Sequence, residues 1–208
     1  MDAEPYNNYV ISHKEATTLI NDNTDLVNAV VIVDGYIQQI QDYLGQANNA
    51  AGKIRFPRGF IRTADHFRKE LSFIKDNNIR DNLAYALIQS DVYRWLTNRT
   101  DLFGIAKEMV MKSGIALMGS ICETMAIDGT KGIIGKKHSF YERCNRMVDM
   151  GFISEDLKDE LHWLWETRAA IHIYDINHRE YEKYKMADYN RAIKATRALR
   201  DALADYHS

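Results

Sequence analysis

The sequence predicts an all-α protein, an up-and-down helical bundle with an N-terminal helical extension. Three observations carry this. The chain has 208 residues, enough for one sizeable core. It holds only two prolines and eleven glycines, too few for the many turns of a β-sandwich or barrel. Beyond residue 63, apolar residues recur at helical rather than alternating spacing.

Residues 1 to about 24 are rich in Asn, Asp and Thr, with one capping-box pattern at Ser12 and Glu15. From Asp25 to Leu44 the spacing of Val27, Val30, Val31, Ile37, Ile40 and Leu44 suggests a helix, although the run at 30–33 also fits a short strand. Residues 45–60, with two glycines, a double Asn and Pro57, read as a loop. The expected division is therefore an extension over 1–60 and a bundle over 61–208.

Within the bundle, Phe67, Leu71 and Ile74 mark a short helix, interrupted near Asn77 and Asn78. A second helix spans about 79–97, with Leu83, Ala84, Leu87, Ile88, Val92 and Trp95 on its apolar face and Asp91 inside that face. Asp101 to about Ile127 is the longest helical stretch and is apolar on several sides, so it belongs in the core. DGTKGIIGKKH at 128–138 is a loop. Its glycines are one residue too far apart for a P-loop, Lys137 stands where a hydroxyl is required, and no strand precedes it. Ser139 with Glu142 opens a helix that ends at Gly151. Ser154 caps the next, which pairs with it as an antiparallel hairpin. Asp188 to Tyr206 closes the chain as a helix.

The helix from Ser154 carries the functional interest. Leu157, Leu161, Leu164 and Ile171 form its apolar stripe, with Arg168 about 20° from Leu157 and His172 one turn further on. A buried Arg needs an answering charge. Asp91, equally out of place on its own helix, is the candidate partner, directly or through one water, against the alternative that each group sits at a helix edge or interface and finds a separate partner. A basic cluster of Lys136, Lys137, His138, Arg143 and Arg146 precedes the helix and offers phosphate contacts, against the plainer reading of a solvated charged face. Trp163, Trp165, Tyr174, Tyr181 and Tyr184 fit a core or interface better than a base-stacking platform.

Other classes are disfavoured. The net charge of −2 gives no global nucleic-acid signature, so RNA contact requires a local patch. Cys122 and Cys144 have no metal spacing and read as reduced core thiols. No metal or cofactor is expected. No signal peptide, no run of 18 apolar residues and no nucleophile motif occurs, so a cytoplasmic protein without membrane contact is expected.

The helix NLAYALIQSDVYRWLTNR, the long helix after it, the hairpin and ELHWLWETRAAIHIYDINHREYEKY together resemble the HEPN superfamily over roughly residues 64–206. The resemblance implies a bundle of four or five helices, often dimeric. In its active members an Arg and a His cleave RNA without metal, using the 2′-hydroxyl, across a dimer. Arg168 and His172 would be that pair. Here three residues separate them instead of four to six, and Ala169 stands where a polar residue is usual. The resemblance therefore implies a homodimer of regulatory or defence role that binds RNA or a protein partner such as an antitoxin without strong catalysis. The alternative is a toxin-type, metal-independent endoribonuclease using Arg168 and His172.

Overall fold

This computed structural model describes residues 19–54, 57, 59–135, 137–171 and 182–207, and seven α-helices follow one another among those described residues. They are α1 (Asn23–Leu44), α2 (Ala64–Glu70), α3 (Asn77–Arg99), α4 (Gly104–Gly129), α5 (Phe140–Asp149), α6 (Glu155–Ala169) and α7 (Met186–Tyr206). No strand occurs among the described residues, apart from one isolated bridge between Lys131 and Ile134. The all-α expectation holds. Two compact units divide at residue 55, Met1–Arg55 and Phe56–Ser208.

In the first unit, α1 is a continuous helix where a strand at 30–33 was the competing reading. The Asp22 carboxylate accepts from the N–H groups of Thr24 and Asp25, and Gly45 ends the helix at φ 54°. Both ends thus close by local chemistry.

In the second unit, α4 is the central element. Met111, Ile115, Met118, Ile121, Cys122, Met125 and Ala126 are all buried along it. It packs against α3, α6 and α7, with α5 beside it. This explains its lack of a polar face. By length and composition it is also long and apolar enough to cross a membrane, yet here more than half of that stretch lies inside the bundle. Leu161 and Leu164 of α6 and Leu199 and Leu203 of α7 complete the core. Burying each such side chain contributes about 1.5–3 kcal/mol.

Small residues let the helices close up. At Gly114 an added Cβ would stand 2.5 Å from Cε2 of the buried Tyr189 ring, so α7 approaches α4 there only because no side chain intervenes. The two cysteines are core thiols as expected. Burial pushes both up to about 12, and Cys122 Sγ lies 3.3 Å from Thr196 Oγ1.

The hairpin forms as read. Ser139 and Glu142 make a reciprocal capping box, and Ser154 caps α6 through the N–H of Leu157. Phe140 stacks on Trp165 at 4.8 Å and the Tyr141 hydroxyl donates to Glu166 at 2.9 Å, so the start of α5 meets the end of α6. Here α6 is shorter than its stripe suggested. Its last carbonyls are taken by Ala170 N–H, and Ile171 N–H turns back to Arg168 O at 3.2 Å.

Candidate anion-binding groove

Because α3 and α7 both lie on α4, a cleft opens between them, floored in part by Leu87, Met118 and Ile193. Its wider end is a cavity of about 200 Å³ bordered by Arg94, Asn98, Asn190, Lys194 and Arg197. Past Arg94 and Arg197 it narrows toward Arg62 and Arg200. The helical period places these groups. Arg94 and Asn98 stand one turn apart on α3, and Asn190, Lys194 and Arg197 follow one another at spacings of four and three on α7.

The anchor of this cleft is Asp91, 1% exposed. Arg62, just before α2, donates its backbone N–H and Nε to Oδ2, each at 3.0 Å, and Nη2 to Oδ1 at 2.8 Å. The guanidinium also lies 4.4 Å over the Phe67 ring. These charge-assisted bonds raise the Arg62 pKa against the opposing effect of burial. Arg94 reaches the same carboxylate only at 3.6 Å.

Asp91 is thus buried as its position in the stripe demands, but the expected Asp91–Arg168 pair is not formed. Arg62 takes both carboxylate oxygens, because the segment before α2 crosses α3 at this height. Comparing helix faces alone leaves such a segment out.

The remaining cations are less well answered. Arg200 pairs with Glu70 at 2.6 Å and with Asp201 at 2.7 Å. Five cations of the cleft therefore meet three carboxylates. Among the described residues neither Lys194 nor Arg197 has an ion-pair partner. Burial, and then the charges of Arg94, Arg62 and Arg200, lower the Arg197 pKa, which marks a region short of negative charge. Tyr189 also borders the cavity. Burial pushes its pKa up to about 12, against the lowering effect of a side-chain hydrogen bond with Ser90.

The residues singled out from the sequence do not converge here. Arg168, half-buried on α6, donates Nε to Ser120 Oγ at 3.2 Å and pairs through Nη2 with Glu123 at 3.3 Å. Its guanidinium lies 4.6 Å over Trp165, and its methylenes cover Gly119. It ties α6 to α4. His172 lies outside the described residues, as do Lys136, Tyr174 and Tyr181.

The basic cluster comes apart as well. Arg143 is 2% exposed, with Nη1 donating to Thr130 Oγ1 at 2.6 Å and Nη2 to Gly135 O at 3.1 Å. Burial lowers its pKa. It is a structural cation, not an RNA-facing one, because Phe140, Arg143, Cys144 and Met147 form the inward stripe of α5. His138 lies 3.9 Å from Glu142, while Lys137 and Arg146 are exposed. Trp163 lies under Arg191, which is paired with Glu160, so it is packed rather than presented.

A histidine on the hairpin titrates with the fold. His162 packs on Tyr141 at 4.5 Å, its Nε2 buried without a partner, and burial lowers its pKa below 6.5. As pH falls through 6.5 the unfolded chain protonates here before the folded one. Stability present above that pH is therefore lost below it. Urea midpoints should fall between pH 7 and 5.5, and His162→Gln should flatten this dependence.

No group of three or more potential metal ligands occurs among the described residues. No family model matches the chain, and no curated protein or solved structure matches it.

The sequence did hold a signal for the groove. In RAIKATRALR, Lys194, Arg197 and Arg200 follow one another at spacings of three and border the groove, whereas Arg191 lies over Trp163 and pairs with Glu160.

Proposed function

We propose that this chain is a non-catalytic helical module that binds RNA along the groove between α3 and α7. One observation carries the reading. The carboxylates of the cleft are engaged by Arg62 and Arg200, leaving Lys194 and Arg197 without an ion pair and Arg94 at the edge of one. Such a surplus attracts phosphates, which position a nucleic acid without reading its sequence. Asn98 and Asn190 at the mouth of the cleft are exposed amides able to bond ribose hydroxyls. The HEPN resemblance points to the same ligand class. The catalytic half of that resemblance is not retained, since the Arg168 charge is already met by Glu123.

The test is binding of a fluorescent single-stranded RNA in chelator at low salt. Lys194→Glu with Arg197→Glu should weaken binding at least about tenfold, roughly 1.4 kcal/mol, while the RNA stays intact on a denaturing gel. Unchanged affinity in that variant, or no binding by wild type, contradicts the proposal. Cleavage that His172→Ala abolishes would move the function to the nuclease alternative.

A further inference from the structure

None of the residues of α1 is buried, although much of the helix is strongly apolar. Eight of its 22 residues are β-branched, which lowers intrinsic helix propensity. A lone helix of that length and composition is marginal in water, so its stability must come from packing.

The apolar residues have a register. Leu26, Val30, Val33, Ile37, Ile40 and Leu44 follow one another at spacings of four, three, four, three and four. This is an unbroken a/d seam through the helix, with Val30, Ile37 and Leu44 at a and Leu26, Val33 and Ile40 at d. A 3.5-residue period describes a surface that meets another helix lengthwise. The flanking g positions are Ala29, Tyr36 and Tyr43, and the e positions Val27, Asp34 and Gln41. With no charge at any g position, an identical helix meets no e–g repulsion.

Charge excludes two other occupants. The helix carries Asp25, Asp34 and Asp42 and no Lys or Arg, so it repels a nucleic acid. It also lacks the basic polar face of a helix that lies on a membrane.

We infer that α1 is a self-association helix, its a/d seam packing against the α1 of further copies of this chain in a coiled coil. Val and Ile at both a and d favour more than two strands. Association would place several RNA-binding grooves in one particle and raise avidity. The assembly itself does not depend on the RNA reading.

The test is the mass of the full chain by sedimentation equilibrium, without RNA. Wild type should sediment as a multiple of 24.1 kDa, and Val33→Asp with Ile37→Asp as a particle of 24.1 kDa. Gln39→Asp, away from the seam, should leave the wild-type mass unchanged. Without any substitution, α1 amides should exchange hydrogen more slowly as protein concentration rises. A monomeric wild type, an assembly that survives the seam variant, or concentration-independent exchange each overturns the proposal. A monomer whose α1 binds neutral lipid vesicles would give the face to a membrane and overturn it too. RNA affinity in the same samples is read separately.

Discussion

Asp91→Ala is expected to destabilise the helical bundle by about 3 kcal/mol, the largest effect of any single substitution considered. Removing one member of a buried charge pair costs about 3–5 kcal/mol because the other is left uncompensated. The lower end applies because the Arg62 side chain is 30% exposed and recovers some hydration. Three Arg62 bonds end at this carboxylate, one of them from the backbone, so the segment before α2 should loosen from α3 as well. Urea unfolding followed by circular dichroism measures the loss. Replacing both partners, Arg62→Met with Asp91→Leu, should restore part of it, since apolar pairs of similar volume often match buried ion pairs, while the backbone N–H of Arg62 still loses its acceptor. A double variant as unstable as the single one would mean that packing, not the unpaired charge, sets the cost.

Gly114→Ala is expected to destabilise by about 1–2 kcal/mol, against the usual trend for helical positions. Helix propensity favours Ala over Gly by up to about 1 kcal/mol. The new methyl, however, would stand 2.5 Å and 2.8 Å from Cε2 and Cζ of Tyr189, a ring enclosed in the core. Overpacking of this kind costs about 1–3 kcal/mol, so the steric effect wins. Tyr189 lies on α7 among the groove residues, so a displaced α7 should also carry Lys194 and Arg197 out of place. RNA affinity should therefore fall together with the unfolding midpoint. A stabilised variant would show that α4 and α7 are less closely seated at this point.

What was readable in advance was local. The Ser139–Glu142 box, the Ser154 cap and the apolar stripes each depend on residues within a turn or two, and the helices begin where those signals stand. The burial of Asp91 was readable for the same reason. Its partner was not, because Arg62 lies 29 residues away in an irregular segment with no period to place it. Arg143 belongs to a charged run but shares the helical register of the buried face of α5, and register outweighs charge here. The stripe of Phe140, Cys144 and Met147 already turned it inward. The groove itself is a property of two helices on a third, and no single stretch displays it.

The most direct test of the central claim is the salt dependence of single-stranded RNA binding. With Arg94, Lys194 and Arg197 as the phosphate contacts, log affinity against log salt should fall with a slope of about −2, from roughly −0.7 per contact. In the Lys194→Glu, Arg197→Glu variant, with Arg94 the one contact left, the slope should flatten to about −0.7 or less steep. A slope shared by wild type and variant would place the RNA elsewhere on the molecule, and a flat wild-type line would remove the electrostatic basis of the groove.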